Sequence, residues 1–187
     1  MHSRRRLGQH FLKNKAKIKE IVDSLNIEGK ETIIEIGSGH GELTKDLGII
    51  GFKVIAIEKD HLLTEELRKK FENKKNIEII EGDALKILPE LTTGYELLAT
   101  GYKIVGNIPY YLTGRLLRIF GELRLKPKLI VLTVQKEVAV RLAARPPQMN
   151  LLAASVQFWA EPEIVGFISK KELDELRIGW DLVLDID

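Results

Sequence analysis

Short, almost wholly apolar runs alternate along this chain with longer segments whose apolar residues recur every three or four positions. The runs "ETIIEI", "FKVIAIE", "NIEIIEG", "KIVGN" and "KLIVLTVQ" are rich in β-branched residues and end in glycine or polar residues, which predicts five strands. Between them the spacing is helical. Lys15 to Leu25 carries Ile18, Ile21, Val22 and Leu25 on one side, and "ELTKDL" follows the first strand. His61 to Phe71 sets Leu62, Leu63 and Leu67 against a charged face, Leu116 to Phe120 follows the fourth strand, and Val138 and Leu142 mark a helix after the fifth.

Strands that are apolar throughout, rather than at every second residue, are buried on both faces. The alternation therefore predicts an α/β fold with a mostly parallel sheet and helices on both sides. Two later β-prone pieces, "AASVQFWA" and "EIVGFIS", are separated by Pro162 and are expected to form an antiparallel pair closing the sheet edge. Arg145-Pro146-Pro147 predicts a loop, because prolines stop the preceding helix.

A chain of 187 residues supports one domain with a sizeable core. Cysteine is absent, which removes disulfides, thiolate metal sites and thiol nucleophiles and fits a cytoplasmic location. No apolar run approaches the ~20 residues needed to span a bilayer, and no long apolar stretch follows the basic N-terminus as a secretory signal requires. The net charge is only +2, but Arg4, Arg5, Arg6, Lys13, Lys15, Lys17 and Lys19 crowd the first twenty residues. That crowding reads either as a solvated leader or as a patch that neutralises nucleic-acid phosphates.

Three motifs fall at the carboxyl ends of successive strands. Glu35 to Gly41, "EIGSGHG", turns out of the first strand with the spacing G-x-G-x-G rather than the G-x-G-x-x-G of dinucleotide binders. Glu58 ends the second strand, where a carboxylate can accept from ribose hydroxyls. Asp83, in "GDA" after the third, can accept from an exocyclic amine of a base or cap the next helix. Ligands of open parallel sheets bind at those ends, so the trio suggests a nucleoside held by backbone, ribose and base contacts. No G-x-x-x-x-G-K-[ST] occurs to hold phosphates, and a nucleoside site of this kind points to S-adenosylmethionine.

The fourth strand runs into "GNIPYYLTGR". Hydrogen bonds from an aromatic amine to the Asn107 side-chain oxygen and to the Pro109 or Ile108 carbonyl would favour a pyramidal nitrogen aimed at the sulfonium methyl. Tyr110 would stack on the flipped base. As a plain structural element, the same tetrapeptide is a helix-entry turn with Asn107 as its cap.

Together these residues resemble the ribosomal RNA adenine N6,N6-dimethyltransferase family, which includes small-subunit dimethylases and the macrolide-resistance methylases. Leu7 to Leu12, "LGQHFL", is similar to its N-terminal motif over the methyl donor, and Val134 to Ala139 to a further segment. The resemblance implies a Rossmann-like class I methyltransferase with a mostly parallel seven-stranded sheet and an antiparallel edge pair. It implies donor contacts from Gln9, His10, Leu12, Gly37, Ser38, Gly39, Glu58, Lys59, Asp83, Ala84 and Asn107. Catalytic roles are implied for Asn107, Pro109 and Tyr110, RNA contacts for Arg4, Arg5, Arg6 and Lys13, and no metal. The expected cofactor is S-adenosyl-L-methionine, leaving S-adenosyl-L-homocysteine. The expected partner is ribosomal RNA in immature small subunits, with dimethylation of two adjacent adenines by a monomer. Gly8 before Gln9, with Gln135-Lys136-Glu137, is closer to the small-subunit branch than to the resistance branch.

Two departures bear on activity. Where the family carries an aromatic residue followed by a proline-rich stretch, this chain reads "ELDELRIGWDLVLDID", in which "WDLVLDI" suits a final strand. The expected organisation is a single catalytic domain: a leader and lid over 1–14, a core over 15–170 and an atypical tail over 171–187, without the family's C-terminal helical domain. The competing readings are an RNA-binding or ribosome-assembly module that keeps the donor site, and an adenine methylase acting on DNA, whose N/D-P-P-Y resembles N-I-P-Y.

Overall fold

A computed structural model describes residues 14–50, 53–94, 97, 100–108, 111–168 and 179–185. Arg4, Arg5, Arg6, Gln9, His10, Leu12, Lys13, Pro109 and Tyr110 lie outside the described residues, as do 171–178 of the expected tail. The described helices are α1 (Lys15–Ser24), α2 (Glu42–Ile50), α3 (His61–Lys70), α4 (Ala84–Leu91), α5 (Thr113–Glu122), α6 (Lys136–Leu142) and α7 (Leu151–Gln157). The strands are β1 (Thr32–Ile36), β2 (Lys53–Glu58), β3 (Ile77–Glu81), β4 (Tyr102–Asn107), β5 (Leu129–Gln135), β6 (Glu161–Ile168) and β7 (Gly179–Asp185).

The strands form one seven-stranded sheet in the order β3-β2-β1-β4-β5-β7-β6. The first five run parallel, and β7 lies antiparallel to both β5 and β6. The pleat sends successive residues to opposite faces, and each face has its own apolar layer. Ile34, Ile55, Ile57, Ile104, Ile130 and Leu132 pack on Leu88 of α4, Leu116 and Phe120 of α5, Leu142 of α6 and Val156 of α7. Ile33, Val54, Val105 and Val131 pack on Ile18, Ile21 and Val22 of α1 and Leu47 of α2. This two-sided burial is why the strands read as continuous apolar runs.

The amino ends of the central strands are tied by charge. Glu31 accepts from Lys103 on β4 at 2.8 Å and from Lys128, just before β5, at 2.9 Å, with Glu31 and Lys103 both buried. The opposite, carboxyl ends carry the three motifs.

One expected element is corrected. "AASVQFWA" is not a strand: its first part lies in α7, and the antiparallel pair is β6 with β7. The Asn150 side chain accepts from the Ala153 N–H at 3.1 Å and caps the helix, and buried Ala153 and Val156 lie three residues apart on one face. Phe158, which a buried strand would have covered, is 91% exposed. "EIVGFIS" does supply most of β6, and "WDLVLDI" is the final strand β7. Pro162 lies within β6 rather than beside it, as an edge strand permits.

β1 and β4 approach closely at Gly106, where a Cβ would stand 2.8 Å from the Ile36 carbonyl oxygen. Gly106→Ala should therefore lower unfolding stability in urea by roughly 1–3 kcal/mol. Gly114→Ala, with nothing within 4 Å of the added carbon, should leave it unchanged or slightly higher.

Candidate active site

The register of the sheet brings the exits of β1, β2, β3 and β4 to one level: Ile36 opposes Ile57 and Gly106, and Glu58 opposes Glu81. The strand order reverses between β1 and β4, the position at which doubly wound sheets open a crevice. Gly37 and Asn107 flank that opening, and a Cβ on Gly37 would lie 3.8 Å from the Asn107 carbonyl oxygen.

The loop after β1 folds back through left-handed turns. Gly37 has φ +74° and Gly41 φ +76°, conformations that L side chains rarely adopt. Gly41 also has no room for a side chain, since a Cβ would stand 2.6 Å from Leu67 of α3. The same helix grips the loop by polar contacts: Lys70 Nζ donates to the His40 carbonyl at 2.8 Å, and Glu66 meets the His40 ring at 3.1 Å. α3 is itself fixed by Asp60, whose carboxylate accepts from the N–H groups of Leu62 and Leu63.

Glu58 joins these pieces. Its side chain is buried, one oxygen accepting from the Gly39 N–H at 2.9 Å and the other from Lys59 and Asp60 N–H at 2.7 and 2.8 Å. A carboxylate offers about four acceptor sites, so these bonds leave room for one further donor. Asp83 divides its oxygens, one accepting from Leu85 N–H at the start of α4, the other from Lys59 Nζ at 2.9 Å. Of the two roles expected for Asp83, the cap is thus in place. The Lys59 ammonium holds the Asp83 carboxyl below its usual range, and the hydrogen bond to Asp83 raises Lys59 in turn. Ala84 is the first residue of α4.

Asn107 is the last residue of β4, and α5 starts after Leu112, so Asn107 does not cap that helix. The following N–H, of Ile108, donates to the Thr133 carbonyl of β5 at 3.2 Å and continues the strand pairing for one more residue. Gly37, Ser38, Gly39, Glu58, Lys59, Asp83, Ala84 and Asn107 are therefore brought to one edge. Tyr111, 57% exposed, follows on the same side.

The edge fits a nucleoside ligand carrying an amino acid. Ser38 is buried and, among the described residues, its hydroxyl has no hydrogen-bond partner, an orphaned group within the loop. Glu58 keeps acceptor capacity, and Gly37 leaves bare backbone at the opening. These groups suit S-adenosylmethionine, with a donor for its carboxylate and an acceptor for its ribose.

Sequence reasoning missed Glu35 and Thr44. Glu35 is 2% exposed on the α2 side of β1, and Thr44 Oγ1 donates to its carboxyl at 2.6 Å. A lone glutamate inside an apolar strand, with a threonine nine residues on, is the signal that was available. Burial pushes the Glu35 carboxyl up to about 7, the Thr44 bond opposes this, and the Glu58 charge adds to it. The folded protein thus holds a proton that the unfolded chain releases near the ordinary value of 4.5, so stability falls as pH rises between 4.5 and about 7. Glu35→Gln removes that dependence. Between pH 5 and pH 8 its stability should gain on that of the parent by roughly 2–3 kcal/mol, read from urea melts at both pH values.

Comparison with known proteins agrees with this geometry. The family model described as ribosomal RNA adenine dimethylase matches residues 1–172. Ribosomal RNA small subunit methyltransferase A of Dehalococcoides mccartyi (strain CBDB1) is 39% identical over 168 residues, which cover 90% of this chain and 57% of that protein. The chain therefore spans a little over half the length of this curated relative. A dimethyladenosine transferase from Plasmodium falciparum superposes with a TM-score of 0.83 at 26% identity, covering 95% of this chain and 64% of its own. The 23S rRNA methyltransferase ErmE shares the fold, with a TM-score of 0.83 at 22% identity over 95% of this chain and 70% of its own. The chain belongs to the ribosomal RNA adenine dimethylase family.

Proposed function

We propose that this chain transfers methyl groups from S-adenosylmethionine to N6 of adenine in ribosomal RNA. The substrate is two adjacent adenines of small-subunit RNA in immature particles, and the enzyme acts as a cytoplasmic monomer. The observation that carries the reading is the bond from Gly39 N–H to Glu58, which makes the glycine loop and the strand-end carboxylate one site.

In this site Gly37, Ser38 and Gly39 hold the amino-acid end of the donor, Glu58 its ribose and Asp83 its base, with Lys59 and Ala84 beside them. Gln9, His10 and Leu12 cover it. S-adenosylmethionine, when bound, supplies an electrophilic methyl group. The protein's part is to aim the amine. The Asn107 side-chain oxygen and the carbonyl of Ile108 or Pro109 accept its N–H groups, turn its lone pair out of the ring plane and exclude competing orientations. Tyr110 stacks on the base. No strong general base is needed, because the nitrogen becomes acidic once alkylated. Arg4, Arg5, Arg6 and Lys13 contact RNA phosphates.

The test is incubation with isotopically labelled donor and immature small-subunit particles, with duplex DNA as competitor. Labelled dimethyladenine in RNA that disappears in Asn107→Ala supports the proposal, and binding without label favours the assembly module. Glu58→Ala should weaken donor binding by roughly 1–3 kcal/mol in calorimetry. RNA affinity should fall with rising salt, and a flat response would remove the basic leader from the interface.

A further inference from the structure

Helix α5 leaves the candidate site with one face in solvent. Thr113, Leu116, Leu117 and Phe120 form its buried face. On the other side Tyr111, just before the helix, and Gly114, Arg115 and Arg118 are exposed at spacings of three and four residues, which makes one stripe. The Tyr111 ring is 57% exposed and the Arg118 side chain 81%.

The order of charge along α5 is the reverse of what the helix dipole favours. Acids stabilise a first turn and cations a last one, as in α3, whose last turn carries Arg68, Lys69 and Lys70. In α5 both arginines come before the acid, Glu122, which is the last residue. Arg118 donates to Glu122 through Nε at 3.0 Å, which leaves the terminal N–H groups of its guanidinium for other acceptors. Arg115 has no hydrogen-bond or ion-pair partner among the described residues. A helix serving only as scaffold gains nothing from this order, whereas a bound polyanion offsets its cost.

The stripe begins where the proposed acceptor site ends. Asn107 closes β4, and Tyr111 follows after a short turn. Lys59, raised first by its hydrogen bond to Asp83, also feels the Tyr111 hydroxyl, so the ring stands at the edge that carries Lys59 and Asp83. A Cβ on Gly114 would meet nothing within 4 Å, so the helix surface is open there.

We propose that this stripe carries the RNA strand away from the target adenine: the Tyr111 ring stacks on the neighbouring base, and Arg115 and Arg118 pair with the phosphates that follow. The proposal rests on the RNA reading given above and names the path of the strand through that site. An aromatic ring stacks on any base, and a planar guanidinium meets two phosphate oxygens at once. These contacts therefore hold the strand without reading its sequence. Tyr111, Arg115 and Arg118 are positioning residues, which keep the amine at Asn107 by fixing the nucleotides beside it.

The test uses the full chain with a hairpin RNA bearing adjacent adenines in its loop. Binding is read by fluorescence anisotropy between roughly 50 and 200 mM salt, alongside methyl transfer to immature small-subunit particles. Arg115→Ala and Arg118→Ala should each lower the slope of log affinity against log salt by about one, and raise KM more than they lower kcat. Tyr111→Ala should weaken binding roughly 5–100-fold with the slope unchanged, and Tyr111→Phe should keep the parent's affinity. Lys75→Ala, which removes a charge from the turn before β3 at the opposite end of the sheet, should leave affinity and slope as they are. Affinity for S-adenosylhomocysteine and urea melts should not change in any of these variants. A parental slope in Arg115→Ala, an equal loss in Lys75→Ala, or an unchanged affinity in Tyr111→Ala overturns the proposal. Failure of the parent to bind either RNA overturns the RNA reading and this proposal with it, an outcome distinct from binding that the variants leave unaltered.

Discussion

The carboxylate of Glu58 is the fixed point of this fold's working end. Its side chain binds the backbone of the glycine loop and of the turn into α3, and its own carbonyl accepts from the Gly82 N–H at 2.8 Å. One residue thus ties together the chain leaving β1, β2 and β3. The Gly39 N–H that it satisfies is a buried donor that would otherwise lack this partner, so the loop cannot leave Glu58 at little cost. A ligand hydroxyl joining that carboxylate meets an acceptor already oriented, and much of the ordering cost of binding has been met during folding.

Most of this was legible because the relevant signals are local. Uninterrupted apolar runs mark strands covered on two faces, and glycine, glutamate and aspartate at three strand ends need only the topology to be placed side by side. What the sequence hid depends on contacts distant along the chain. The segment after Asn150 contains β-branched and aromatic residues, yet it is helical, because Asn150 caps it and its buried positions follow a three-residue interval. Glu35 looked like part of a motif, and only the packing of α2 against β1 shows that Thr44 is its hydrogen-bond donor. The grip of α3 on the loop, through Glu66, Leu67 and Lys70, was hidden because a charged helix face reads as solvent-facing until its neighbours are known.

The proposed acceptor side is organised differently from the proposed donor side. The glycine loop is pinned by the buried Glu58 carboxylate, whereas Asn107 is the last residue of a central strand whose pairing with β5 continues through Ile108. A strand end flanked on both sides by parallel neighbours is among the stiffest places in such a sheet. The close passage of Gly106 past the Ile36 carbonyl sets how near β4 lies to the glycine loop, so a residue with no side chain fixes the spacing between the two halves of the site.

The position of β7 bears on the order in which the sheet is assembled. It lies between β5 and β6, although it follows both in sequence, so among the described strands β6 has no direct partner until residues 179–185 arrive. As the polypeptide leaves a translating ribosome, β1 to β5 can zip together while the outer edge of β5 still offers unpaired N–H and C=O groups. The edge of the sheet is thus closed by insertion of a late strand between two earlier ones, and until then β5 is open to pairing with another chain.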